Sequence, residues 1–321
     1  MSTAQSWIVV CTGVIALAAA PLVAAATDAG DGSTVAGAVA GAAAGTADPS
    51  RADVGSSGRE SRRRAIDAIQ LDRLPEAQRR AVDGCLRKAT LYRRLPVETI
   101  VCDADLLDFA LEKPETIVDI WRVLGISRLA LDPTGPGQWR LSDGYGTVGV
   151  LRLVHHERQG RGGLLLFHGR GAYTGPLSPK NLTGTCVILV RHAPAMPAAD
   201  GRERQMMQID SFLDVDGVGL EIVTRTLQPL IVRSAAANLH EICLFMSTLS
   251  ASARTNPEGV AQLAGRLGRT APADQQALAA IARRAAKDVR PAAGAAEAAD
   301  TVQLELASRW LSTDELDALR R

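Results

Sequence analysis

One stretch, Gly217 to Ala253, carries apolar residues at three- and four-residue steps along its whole length. Leu220, Val223, Leu227, Ile231, Ala235, Leu239, Ile242, Phe245 and Leu249 mark that rhythm. The spacing draws one broad apolar stripe along a helix that is too long to hide within a small bundle. Pro229 lies inside it and removes a backbone donor, so a kink or break is expected near Gln228. Such a stripe needs a wide apolar surface to cover it, and the segments just upstream supply one.

From Ile126 the apolar period changes to two. Strands are expected at Ser127 to Asp132, Gln138 to Ser142, Thr147 to His156, Gly163 to Ala172, Leu182 to His192 and Gln205 to Val215. Turn-forming runs rich in Gly, Pro, Asp and Ser separate them, PTGPG after Asp132 and SDGYG from Ser142 among them. Connections this short favour an antiparallel meander. The alternation assigns faces: Leu182, Cys186, Ile188 and Val190 share one side of their strand, and Thr183, Thr185 and Arg191 take the other.

Upstream, Arg59 to Arg94 reads as helix, divided near Leu74 by Pro75. Pro96 to Cys102 is short, β-branched and suited to a strand. Asp103 is placed to cap a helix through Leu106, Leu107, Phe109 and Leu111, and Thr116 to Leu124 forms a second, ended by Gly125. Downstream, Asn256 caps a short helix that begins with Pro257 and ends at Gly268. Pro272 to Lys287 is an Ala-rich helix, and Val302 to Arg321 holds a helical pair capped by Ser312 and Glu315. The expected fold is α+β: an antiparallel sheet of six to seven strands gripping a long C-terminal helix, with extra helices at both ends.

Not all of the 321 residues suit a packed core. Residues 27–58 are built mainly from Ala, Gly, Ser, Thr and Asp, and so form a low-complexity linker expected to stay disordered. Before it, Trp7 to Ala26 is apolar throughout and ends in an A-x-A pattern, which suits a cleaved signal peptide or a membrane anchor. The expected order is therefore leader at 1–26, linker at 27–58, helical extension at 59–94, α+β domain at 95–254, and helical tail at 255–321. A flexible connector is expected near 290–300. The leader places the domain in the periplasm or cell envelope, and 7–26 attaches it to the membrane if it is not cleaved.

Charge excludes some partners. With 36 basic and 35 acidic residues the formal net charge is +1, so there is no electrostatic case for nucleic acid. Aromatic residues make up 3% of the chain, too few for base-stacking platforms.

Five cysteines are present, and removal of the leader leaves Cys85, Cys102, Cys186 and Cys243. Cys186 and Cys243 fall on apolar faces, where thiols act as small core residues. Cys85 and Cys102 stay open between a disulfide and two packed thiols.

No nucleophile elbow, paired-cysteine motif or phosphate-binding glycine loop occurs. His155 and His156 are strand neighbours and face opposite ways unless a bulge intervenes. His240 and Cys243 share a helix face, but Leu244 stands where HExxH needs its second histidine, so His240 is expected to bond a neighbour such as Glu241 or Asn238. Asp210, Asp214 and Asp216 alternate on the last strand, opposite Ile209 and Leu213, and are expected to be solvated. Arg152, Arg170 and Arg191 form an anionic head-group site only if strand register brings them to a cavity mouth. No catalytic residue, metal site or cofactor is expected from these patterns.

Two stretches resemble a known family. Val97 to Trp121 (VETIVCDADLLDFALEKPETIVDIW) is similar to the opening strand and helix pair of the helix-grip fold of START lipid-transfer and polyketide-cyclase-like proteins. Leu227 to Ser250 (LQPLIVRSAAANLHEICLFMSTLS) resembles its gripped C-terminal helix. The order strand, helix, helix, six strands, long helix matches as well. The resemblance covers about Val97 to Ala253 and implies an apolar ligand held between sheet and helix. In place of the family's large aromatic cavity residues, this chain has mostly small aliphatics, with only Trp139, Tyr145, Phe167, Tyr173 and Phe212 in the sheet region. The chain is also similar in character to uncharacterised exported bacterial proteins.

The leading expectation is a non-catalytic exported domain that binds an apolar or amphipathic, lipid-like small molecule. Leu151, Phe167, Ile188, Ile209, Leu213, Ile231 and Ile242 are the expected cavity or core lining, with binding from buried apolar area at about 25 cal/mol per Å². The alternative is a structural or interaction protein of the envelope whose tail helices make the contacts. An enzyme of cyclase or hydrolase type stands third.

Overall fold

The computed structural model describes residues 55–174, 182–198, 201–216, 220–286, 299–311 and 313–319. The apolar segment 7–26, nearly all of the linker, the connector at 290–298 and Ser312 therefore lie outside the described residues. Among the described residues no helix is long and apolar enough to cross a membrane.

Two helices open the fold, α1 (Arg59–Ala68) and α2 (Glu76–Lys88), separated near Pro75 as expected. The chain then turns extended sooner than its helical pattern suggests. β1 (Leu91–Arg94) and β2 (Glu98–Ile100) both pair antiparallel with β8 (Gln205–Asp216), one after the other. They are halves of one edge strand interrupted at Pro96, which has no N–H to donate. The Leu95 N–H still reaches the Ile209 carbonyl at 2.8 Å across the break.

Next come α3 (Ala104–Glu112) and α4 (Pro114–Val123). Asp103 caps α3 by accepting the Leu106 N–H at 3.2 Å. Gly125 closes α4 with φ +72°, a conformation that costs glycine little. The meander follows as β3 (Ala130–Gly135), β4 (Gln138–Ser142), β5 (Thr147–Gln159), β6 (Gly162–Tyr173), β7 (Leu182–Pro194) and then β8. All pairings are antiparallel, in the spatial order β1-β8-β7-β6-β5-β4-β3 with β2 beside β8. The helix α5 (Leu220–Thr255) runs unbroken through Pro229, so the expected break does not occur. Side chains along α5 are described from Ala235 onward. The tail forms α6 (Pro257–Gly265), α7 (Pro272–Ala285), α8 (Ala299–Ala307) and α9 (Thr313–Leu319).

Helices cover one sheet face and part of the other, where Val148 and Val150 of β5 stay exposed. Against one face pack α3, α4, α5 and the tail, in a core that includes Leu107, Ile117, Trp121, Leu151, Phe167, Ile188, Ile209, Leu239 and Phe245. Against the other pack α1 and α2, where Ile69, Val82 and Leu86 meet Tyr92, Leu166, Val187, Leu189 and Phe212. In β7 the run Cys186 to Val190 is buried at every position, as a strand between two layers requires.

The tail belongs to the first core and does not pack on its outside. Val260, Leu263, Leu278, Ile281, Val302, Leu306 and Trp310 are buried in it. Phe245 of α5 packs between Trp121, edge to face, and Trp310, tilted, at ring centroid distances of 5.8 and 5.5 Å. Buried Asp119 of α4 ties the α6–α7 connection down, accepting the Arg269 N–H at 2.8 Å and the Thr270 N–H at 3.0 Å.

The disulfide weighed for Cys85 and Cys102 is absent. All four described cysteines are free and buried, with Cys85 on the α2 side of the sheet and Cys102 in the opposite core. Burial pushes the Cys85 thiol up to about 11 and those of Cys102 and Cys186 up to about 12. These thiols stay protonated and are poor nucleophiles.

Candidate functional site

The α3–α4 pair and α5 do not close completely on the sheet. A cavity of about 110 Å³ lies between them, and the described side chains that line it are all apolar. The sheet contributes Leu151, Phe167, Ile188, Val190, Met207 and Ile209, and α5 contributes Leu239, Ile242 and Met246. The remaining wall comes from Ile100 and from Leu107, Ala110, Leu111, Pro114, Ile117 and Trp121 of the α3–α4 pair. Five of the seven expected lining residues converge here: Leu151, Phe167, Ile188, Ile209 and Ile242. Leu213 is buried in the same core but does not line the cavity. The Ile231 side chain lies outside the described residues. The helical wall was missing from the sequence reading, although the apolar stripe of α3 announced it.

A polar cluster lies beside this cavity, outside its described lining. A register shift between Leu153 and His155 in β5 sends His155 to the α1–α2 face, toward Glu157, and His156 to the cavity face, opposite Leu165. The bulge therefore exists, but it precedes both histidines and sets which face each takes, so they still point opposite ways. His156 Nδ1 lies 3.7 Å from Glu112 of α3. Arg158 Nε donates to Glu112 Oε1 at 3.1 Å, and its second nitrogen stands 3.8 Å from Asp108. His192 Nε2 faces Asp108 Oδ1 at 3.6 Å. Asp108 and Glu112 are one helical turn apart, so α3 presents both to this cluster while Leu107 and Leu111 line the cavity.

His192 is the innermost of the five, with a side chain 2% exposed. It stands directly across the β7–β8 ladder from Met207 and two residues beyond Val190, both of which line the cavity. Burial lowers its pKa, against the opposing pull of Asp108, and favours the neutral imidazole. Burial likewise raises the Asp108 carboxyl, more than His192 and Arg158 lower it. Gly163 makes room for the ring: a Cβ there would come 3.0 Å from His192 Nε2 and 2.7 Å from the Glu157 carbonyl. The signal for His192 was in the sequence, because it continues the facing series Cys186, Ile188, Val190.

No protein-family model and no curated protein matches the chain. Among the solved structures similar to part of it are two from Rhizobium species. The Mll3558 protein of Rhizobium loti is 20% identical with a TM-score of 0.26, over 46% of this chain and 95% of that one. An uncharacterised protein of Rhizobium leguminosarum is 12% identical with a TM-score of 0.25, over 47% and 95%. Scores this low carry no argument about fold or function.

Other expected sites fall elsewhere. Arg152 and Arg170 are register neighbours of His168, Val150 and Thr185 on the face away from the cavity, and Arg191 bonds Asp210 on that same face. They form no head-group site at the cavity. Asp210 is not solvated but fully buried, where it accepts from Tyr92 at 2.7 Å, from Arg94 Nε at 2.8 Å and from Arg191. Burial and the bond to this carboxylate push the Tyr92 hydroxyl well above its usual range. Asp216, by contrast, is exposed and accepts from Thr183 at 2.8 Å. His240 lies 3.3 Å from Glu98, not beside Glu241, which instead accepts from Arg309 and Trp310. Among the described residues no group of three His, Cys, Asp or Glu side chains is placed to hold a metal ion.

Proposed function

We propose that the protein is a non-catalytic module that binds a small apolar or weakly amphipathic molecule between the sheet and α5. One observation carries the reading: a cavity whose described walls are entirely apolar, set within the core between sheet and helices. Well-packed interiors leave few such voids, and each costs the stability its missing contacts would have given. Size limits the ligand. An engineered apolar cavity of about 150 Å³ stays dry and takes up benzene, whereas sites for drug-sized ligands span about 300–1,000 Å³. At about 110 Å³ this cavity suits a group of benzene size or smaller, so a longer molecule would leave part of itself outside.

The resemblance to the helix-grip fold supports the same reading, since the order of strand, two helices, six strands and long helix recurs as β1–β2, α3, α4, β3–β8 and α5. Export to the periplasm or envelope, argued from Trp7 to Ala26, belongs to the proposal. A scaffold role using the tail helices has less support, because Leu278, Ile281, Leu306 and Trp310 are already buried inside.

Ala110, on α3, offers the test. Ala110→Leu adds apolar volume to the cavity wall and should stabilise the fold by about 0.5–2 kcal/mol, as cavity filling commonly does. Benzene near its solubility limit should raise the unfolding temperature of the natural protein and leave that of Ala110→Leu unchanged. Equal responses from the two proteins would sink the proposal.

A further inference from the structure

On the sheet face away from the cavity, β4, β5 and β6 leave a patch open beyond the reach of α1 and α2. The strand registers lay it out. Arg140, Val150 and Arg170 stand side by side in one row, one on each strand. Val148 follows in the next row, and Arg152 lies on the other side, beside His168. Val150 is therefore ringed by three arginines whose Cα atoms are about 8–10 Å apart by strand spacing. All three arginines are exposed, and so are Val150 and Val148, at 46% and 53%.

Counter-charges are missing from this patch. Among the described residues none of the three arginines has an ion-pair or hydrogen-bond partner. Asp132, opposite Arg140 on β3, bonds Arg269 at 3.2 Å instead. Asp214, in the same row as Arg170, stands two strands away beyond Thr185. The uncompensated field reaches His168, whose imidazole is kept neutral by burial first and by Arg152 and Arg170 next. Like charges this close repel one another, so the cluster costs the fold some stability. We infer that the patch binds a phosphate monoester carrying an apolar group, with its phosphate among Arg140, Arg152 and Arg170 and its apolar part on Val148 and Val150. A phosphate brings three terminal oxygens and close to two charges at neutral pH, so each guanidinium finds an acceptor. A carboxylate brings two oxygens and one charge, and leaves an arginine unanswered. The valines favour an ester over bare phosphate, which would leave them in water. A soluble ester and a lipid headgroup share this chemistry. The patch and the cavity lie on opposite sheet faces, so each reading stands or falls alone.

Calorimetric titration of the full chain with phenyl phosphate, inorganic phosphate and benzoate tests the site. Phenyl phosphate should bind tightest of the three, and more weakly as salt is raised. The double variant Arg140→Gln, Arg170→Gln should bind it about tenfold more weakly, because an exposed charge pair is worth about fivefold at most and two are lost. That variant should unfold at the same or a higher urea concentration than the natural protein, since it loses only repulsion. Phosphatidylcholine vesicles with and without phosphatidic acid then distinguish the sources. Sedimentation with phosphatidic acid that the variant loses assigns the site to a lipid headgroup, and phenyl phosphate binding without it assigns a soluble ester. Benzoate binding as tightly as phenyl phosphate, or equal binding by variant and natural protein, overturns the inference. So does vesicle binding without phenyl phosphate binding, which is diffuse attraction, and so does a variant that unfolds more easily, which makes the arginines structural. Failure of every ligand overturns it outright.

Discussion

Asp210→Ala should destabilise the protein by about 3–5 kcal/mol, the usual cost of removing one partner from a buried ion pair. Asp210 is 0% exposed, and its carboxylate satisfies Tyr92, Arg94 and Arg191 together. These residues come from β1, β7 and β8, so the carboxylate pins the edge strand to the sheet centre beneath α1. Arg94 also reaches back to the Ser61 carbonyl at 3.3 Å, which ties α1 into the same group. Alanine would leave the Arg94 guanidinium largely buried without its counter-charge, a far larger penalty than loss of a surface pair. Urea unfolding measures the effect directly. A loss under about 1 kcal/mol would mean that water reaches this cluster and that α1 and α2 do not seal the face.

Removing residues 256–321 should abolish folding. The tail buries Val260, Leu263, Leu278, Ile281, Val302, Leu306 and Trp310 in the core shared with α3, α4 and α5. Each such side chain contributes about 1.5–3 kcal/mol on burial, and net stabilities are only about 5–15 kcal/mol. The truncated chain would also lose Arg269 and Thr270, the backbone donors that satisfy buried Asp119. A soluble fragment with cooperative unfolding near the natural midpoint would contradict this and make the tail a separate appendage.

Much of the architecture was legible in the sequence because its periods are clean. Gln138–Ser142 was placed to the residue, and the other meander strands within a few positions, since turn residues bracket them. Caps at Asp103 and Asn256 were equally local signals, each fixed by the helix start that follows. The errors arose where the deciding partner is remote. Leu91–Arg94 continues a helical pattern in sequence, yet β8 claims it as a strand. Asp210 reads as a solvated carboxylate until Tyr92 and Arg94, more than a hundred residues earlier, are placed beside it. Strict alternation also hid the second layer, because Val187 and Leu189 are apolar on the face assigned to polar residues, and α1–α2 cover them. The cavity was half legible: sheet and α5 residues were foreseen, whereas the stripe of α3 marks an apolar face without saying that it closes this cavity, which only the packing of the α3–α4 pair on the sheet decides.

The central claim is tested most directly by nuclear Overhauser contacts between benzene and the methyl groups of the full chain. The account predicts contacts to Leu151, Ile188, Ile209 and Ile242 on the cavity face, and none to Val187 or Leu189 on the other. Benzene that touches neither set, or both alike, would contradict it.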